Sequence, residues 1–392
     1  MGTLFFDSET TTKNKGHVFT PENIMVSYSY DAGNGVNFKY YTDPDFKPFL
    51  LHLFDSANEL IGFNIKFDIH WAVRNGVPSP LKCKVWDIQL AEFVLSGQTA
   101  RFISLNEVLT SYGMSPKVDK VKEYWDAGID TINIPVHILE EYGNYDVACL
   151  PDIVKIQKQL MTPKQIALVY ILGEDLKTLQ NAEYNGIKFD TTKANEKLRT
   201  LSESLATIES HLNNYLGDIP EHFDFNWDSG DHLSALLYGG TIVYDYAVPT
   251  DMVYKSGPRK GTPYVQNKWF TGEVSFPAKF KPLPNTEVKK TKDDPKATTR
   301  FYQTDEPTLK QLKTRVVADR KLLELIQERS GIIKIVEMIR SIIKKAEDMG
   351  WDNYIHAQYN QNVAITGRLS SSNPNMQNTP AQVDELLVSR YD

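Results

Sequence analysis

Over the first 160 residues, short apolar runs alternate with helical periodicity. Leu4-Phe5-Phe6, the stretch from Ile24 to Tyr30 and the stretch from Glu59 to Phe63 read as strands separated by polar turns or helical patterns. Strands interleaved with helices predict an α/β fold, a mixed sheet flanked by helices. Helical spacing becomes dominant near Pro135. From Thr162 to about Leu216 the pattern predicts two helices parted by residues 185–190, with Gly186 ending the first and Asp190 capping the second. Tyr244 to Tyr302 has no helical period, and its Pro, Gly, Lys and aromatic residues predict a β-hairpin insertion. Pro307 to about Gly350 returns to helix, with Leu322, Leu325, Ile326, Ile332, Ile335, Val336, Ile339 and Ile343 at three- and four-residue steps. These changes of texture predict an α/β domain over 1–160, a mainly helical part over 161–345 that carries an insertion at about 241–303, and a third segment over 346–392.

Composition narrows the class. With 392 residues, 41% hydrophobic and 24% charged, the chain is an ordinary globular protein able to bury a core without disulfides. Its two cysteines, Cys83 and Cys149, form no disulfide framework and read as reduced thiols of a cytosolic protein. No run of about 18 apolar residues exists. The first residues lack a basic region followed by an apolar stretch, and Phe6 stands where a myristoylation signal needs Ser or Thr. A cytoplasmic location without a membrane partner is expected. The net charge of −7 opposes a general affinity for polyanions, but its distribution changes that picture. Residues 255–300 hold eleven Lys or Arg and four acids, a local charge of +7 in an acidic protein. Lys289, Lys290 and Lys292 of this stretch are candidate phosphate contacts, and the aromatics beside them could stack on bases. A solvated basic surface, or a dock for a processivity partner, fits the same charges.

The candidate chemistry lies in carboxylates. Asp7 and Glu9 stand two residues apart at the end of an apolar strand, so both side chains point to one side of the sheet, where one metal could bridge them. Asp68 follows a strand and opens a helical pattern. On a third element, Tyr142 and Asp146 are four residues apart and share a helix face.

The combination Asp7-x-Glu9, then Asn64-x-x-Phe67-Asp68, then Tyr142-x-x-x-Asp146 resembles the three motifs of the DEDD exonucleases in their tyrosine variant. The resemblance implies a ribonuclease H-like domain with 3′–5′ exonuclease activity. Asp7, Glu9, Asp68 and Asp146 would hold two Mg²⁺ or Mn²⁺ ions, Tyr142 would orient the attacking water, and Asn64 would contact the strand. Asp87, between the second and third motifs, reads as structural. The residue types suit the chemistry. Phosphodiester cleavage at neutral pH needs a hydroxide and neutralisation of transition-state charge, and hard divalent cations prefer oxygen ligands to His or Cys.

Near the C-terminus, the string from Thr366-Gly367-Arg368-Leu369-Ser370-Ser371 to Pro374-Asn375-Met376-Gln377-Asn378-Thr379-Pro380 is similar to the signature of family A DNA polymerases. Residues 185–190, 225–233 and 304–309 look like further passages of that family, so the likeness covers nearly all of the chain except about 241–303. It implies a helical thumb over 161–345 and the start of a palm over 346–392. Arg368 would probe the minor groove at the primer terminus, where base-pair acceptors are nearly degenerate. Asn375, Gln377, Ser370 and Ser371 would add contacts to primer-template.

The likeness then breaks. The family's His-Asp-Glu motif has no counterpart, because the sequence contains no His-Asp dipeptide, and Arg340 with Lys344 lacks the Tyr-Gly that follows in the nucleotide-gripping helix. The expectation is a proofreading exonuclease and primer-template-binding portion of a family A polymerase, of phage origin, with an incomplete palm. A second chain carrying the fingers and remaining palm would complete it. A free-standing 3′–5′ DNA exonuclease, an RNA-trimming nuclease of the same superfamily and a non-enzymatic DNA-binding remnant are the alternatives.

Overall fold

A computed structural model describes residues 2–117, 120–288 and 301–389. Five strands form one mixed sheet: β1 (Thr3–Thr10), β2 (Met25–Asp31), β3 (Val36–Tyr40), β4 (Glu59–Gly62) and β5 (Lys84–Asp87), in the order β3-β2-β1-β4-β5. β1 is antiparallel to β2, across residues 11–24, and β2 to β3, across a short turn. β4 returns parallel to β1, and the crossover this requires is the helix Phe46–Ser56.

Burial alternates along β1. Leu4, Phe6, Ser8 and Thr10 are buried, while Thr3, Phe5, Asp7 and Glu9 are half-buried on the other side. Leu4 and Phe6 enter a core with Leu50, Leu60, Ile69 and Trp71, beneath the helices Phe46–Ser56 and Lys66–Arg74. Each such side chain contributes roughly 2 kcal/mol to stability. Ile61 and Trp86 join a second core with the helices Ile88–Leu95 and Leu150–Leu160. The helix Val136–Ala148 packs on β1, β2 and β3. Gly143 allows that approach, since a Cβ there would lie 2.6 Å from Ser29 Oγ.

The chain divides into two compact units, Met1–Asn195 with Met338–Asp392, and Glu196–Glu337. In the first, the helix Pro163–Asn185 ends at Gly186, whose φ of +66° suits glycine. Asp190 then accepts the backbone N–H of Lys193 at 3.0 Å as the helix Thr191–Asn213 begins. Between those helices, Ile187–Phe189 pairs with Tyr354–Ile355 and with Leu387–Val388 in a small sheet.

In the second unit the expected hairpin is a ribbon of Gly240–Val253 and Pro263–Phe276, antiparallel along its length. Ile242, Val274 and Phe276 pack its base on Leu233, Leu322 and Ile326. Buried Arg329 bonds Glu209 at 2.8 Å and Asp228 at 2.7 Å. The helix expected from Pro307 breaks. A single turn, Glu306–Leu309, is capped by Asp305, and the long helix Val317–Met349 starts only after a loop. Leu312 still packs against the core from this loop while Val316 is exposed, and Thr314 Oγ1 accepts the Val316 N–H at 3.0 Å. No described helix is long and apolar enough to cross a membrane.

Candidate active site

Carboxylate oxygens of Asp7, Glu9 and Asp146 lie within 4.8 Å of one another. The first two come from the half-buried side of β1 and the third from the helix Val136–Ala148. Tyr142, one turn before Asp146, lines the same 310 Å³ cavity and meets Trp125 edge-on at 6.2 Å. Asp68 is placed differently. It sits in the first turn of the helix Lys66–Arg74 and its Oδ1 accepts both the N–H of Ser8, at 2.9 Å, and the Ser8 hydroxyl, at 2.6 Å. Asp68 thereby ties its helix to the residue between Asp7 and Glu9, and it lines the cavity with them without belonging to the close trio.

The loop before Asp68 is shaped for this. Asn64 adopts a left-handed φ of +51° that turns the chain from β4 into the helix, and it lines both the acid cavity and a neighbouring cavity of 600 Å³. Asp87 is buried, and its carboxylate accepts the N–H groups of Ile65, Gln89 and Leu90 at 2.8 to 3.0 Å. It caps one helix and braces the loop carrying Asn64, which is a structural role.

The acids are electrostatically strained. Burial, then the charges of Asp68, Asp146 and Glu9, hold the Asp7 carboxyl well above its ordinary range, against the opposing charge of Lys117. Burial pushes Asp68 up to about 7, although the Ser8 bonds oppose it. Oxygen-only donors crowded until they repel one another suit a hard divalent cation, whose charge would relieve the repulsion. Asp7, Glu9 and Asp146 are the residues placed to hold one, with Asp68 beside them.

Lys117 has no signal in the sequence, where it is one more lysine in a polar stretch. Its Nζ donates to both carboxylate oxygens of Asp146, at 2.9 and 2.6 Å, and lies 3.5 Å from the centre of the Tyr142 ring. Glu183 is equally unforeseen. Burial acts to raise its pKa, but the bonds from His70 at 2.7 Å and Lys66 at 2.6 Å hold it below its ordinary value. Glu183 also accepts the Tyr359 N–H at 2.7 Å, joining the helix of Asp68 to the C-terminal segment.

That segment presents the other candidates. Ser370–Ser372 pairs antiparallel with Gln358–Asn360. Arg368, Asn375 and Gln377 are exposed and Ser370 is half-buried, whereas Ser371 is buried and its hydroxyl accepts the Met376 N–H at 3.1 Å, closing the turn. Asn375 Oδ1 accepts the Gln377 N–H at 3.1 Å. Asn360 and Asn373 line the 600 Å³ cavity together with Asn64. On the ribbon, Trp269 and Phe270 are exposed. Lys289, Lys290 and Lys292 lie outside the described residues.

Residues 280–390, which include the 366–380 string, match the model of DNA polymerase family A. Over this segment the chain is similar to the family A DNA polymerases. It is 26% identical over 325 residues to DNA polymerase I of Synechocystis sp. (strain ATCC 27184 / PCC 6803 / Kazusa), across 82% of this chain and 27% of that protein. Its fold is similar to the POL domain of Pol1 from M. smegmatis, solved in complex with DNA primer-template and dNTP. The TM-score is 0.63 at 15% identity, over 98% of this chain and 54% of that one. The chain thus spans about a quarter of the curated relative's length and about half of the solved one. The acid trio lies wholly outside residues 280–390, so its chemistry has to be argued from its own geometry.

Proposed function

We propose that this chain is the metal-dependent 3′–5′ proofreading exonuclease and primer-template-binding portion of a family A DNA polymerase. The convergence of Asp7, Glu9 and Asp146 within 4.8 Å, from segments more than 130 residues apart, carries the reading. The family match over 280–390 supports the polymerase context. In this reading residues 1–160 are a ribonuclease H-like domain, followed by a thumb and the beginning of a palm.

Asp7, Glu9 and Asp146 would hold two Mg²⁺ or Mn²⁺ ions, with Asp68 supporting them. When bound, the ions supply hydroxide at neutral pH and neutralise charge on the cleaved phosphate. The Tyr142 hydroxyl orients the attacking water, and Asn64 contacts the terminal nucleotides of a single strand. The neighbouring 600 Å³ cavity has room for the nucleotides behind them. Arg368, Ser370, Asn375 and Gln377 grip the duplex. Nucleotidyl transfer needs a further set of metal ligands, and the family's His-Asp-Glu motif is not among these 392 residues.

An end-labelled primer-template tests the proposal. With Mg²⁺ the purified chain should shorten the primer from its 3′ end, faster at a mismatch, because a paired end must first melt at about 1.4 kcal/mol per step. It should not lengthen the primer with any nucleotide present. No 3′ trimming with either Mg²⁺ or Mn²⁺ would remove the nuclease assignment, and template-directed extension would overturn the reading that these 392 residues lack the ligands for nucleotidyl transfer.

A further inference from the structure

We infer that Lys117 is the resident counter-ion of the acid cluster, a positioning residue that holds Asp146 in the metal-free site and yields it when a divalent ion binds. The inference rests on the metal-site reading and assigns a role to a residue outside the motifs. Both Asp146 oxygens accept from Lys117 Nζ, at 2.9 and 2.6 Å, so the oxygens a divalent ion would use already face a cation of this chain. The pair is largely buried, with side-chain exposures of 11% and 8%, where an unpaired carboxylate is costly. The same ammonium lies over the Tyr142 ring at 3.5 Å, so it orders both side chains that the third motif brings to the site.

Lys117 is built to let go. Its backbone is fixed, through its N–H on Asn106 Oδ1 at 3.2 Å and through the Tyr145 hydroxyl on the Ser115 carbonyl at 2.6 Å. Lys117 also borders a second cavity of 200 Å³, which Asp146 does not line and whose wall includes Glu141, an acid already paired with Lys120 at 3.1 Å. A flexible four-carbon stem can therefore swing its charge from Asp146 into this cavity without moving the loop. An ion of charge two that takes Asp146 as a ligand competes with Lys117 for the same oxygens, and removing the competitor must tighten binding of the ion.

Three measurements on the full chain test this, none of which depends on trimming. Mn²⁺ binding followed by electron paramagnetic resonance should be about three- to ten-fold tighter in Lys117→Met than in the wild type, and near wild type in Lys117→Arg. Metal-free Lys117→Met should melt below the wild type, and added Mn²⁺ should recover more of its Tm. In the wild-type protein, acetylation of Lys117 by an amine-reactive reagent, read by mass spectrometry, should rise several-fold on saturation with Mn²⁺. Unchanged or weaker Mn²⁺ affinity in Lys117→Met, or acetylation indifferent to Mn²⁺, overturns the counter-ion role. Mn²⁺ binding without trimming would overturn the nuclease reading alone, and a wild type that binds no Mn²⁺ overturns both.

Discussion

The acid cluster and the 366–380 string present two opposite ways of placing polar chemistry. Asp7, Glu9, Asp68 and Asp146 reach one cavity from a central strand and two helices, and their carboxyls are held there by Ser8, by Lys117 and by the packing of Gly143 on Ser29. Arg368, Asn375 and Gln377 stand in solvent on a segment tied by Ser371 to Met376, by Asn375 to Gln377 and by a short ladder to Gln358–Asn360. The first arrangement spends fold stability to create reactivity. The second leaves the side chains free to meet a partner and costs the fold little. A change in the cluster should therefore be felt in chemistry and stability together, and a change in the string in binding alone.

The largest effect is expected from Asp146→Ala, which should cut Mg²⁺-dependent 3′ trimming by more than about 100-fold while leaving duplex affinity within about three-fold. Trimming retained at comparable rates would detach Asp146 from the reaction. Asp87→Ala should separate brace from chemistry. Three N–H groups lose their acceptor, so urea denaturation should show a loss of about 3 kcal/mol, with trimming at low temperature nearly normal. A variant as stable as wild type would show that water replaces the carboxylate.

Acid should attack the sheet-bearing unit through His17. Burial, followed by the charges of His70, Lys345 and His356, pushes His17 down to about 4, with Glu183 opposing. The unfolded chain binds a proton near pH 6.5 that the folded chain refuses, so this stabilisation is full above pH 6.5 and is lost as pH falls toward 4, about 3 kcal/mol in all. Thermal melts at pH 7, 5.5 and 4.5 should slope less steeply in His17→Gln than in wild type. Parallel slopes would exonerate His17. The smallest effect belongs to the string: Arg368→Ala should weaken duplex binding by about five- to ten-fold across sequences and leave trimming of a single strand unchanged. A matching loss in single-strand trimming would mean that the two regions do not act separately.

What could be read without coordinates follows the same division. β1 and the helices around 162–216 were legible because an apolar run, Gly186 and Asp190 each act locally. β3 was not foreseen, since Val36 to Tyr40 is an edge strand with only half-buried and exposed residues and carries a weak pattern. β5, Lys84 to Asp87, was not foreseen either, although β4, which is no longer, was. The acids could be nominated from spacing, but the bonds of Asp68 to Ser8 and of Lys117 to Asp146 span 60 and 29 residues and leave no local trace. For the string the residue order itself was the signal, while the inward turn of Ser371 depends on Met376 closing back on it.

Gly143 gives position 143 an unusual place in the mutational landscape of the chain. It has no side chain and touches no reactant, yet the 2.6 Å separating its missing Cβ from Ser29 Oγ helps set how closely the helix of Asp146 can approach the strand of Asp7 and Glu9. Every missense change of a glycine codon adds at least one carbon there. A lineage that lost Gly143 would accordingly have to move the Ser29 side chain, or the helix, before it could recover the site.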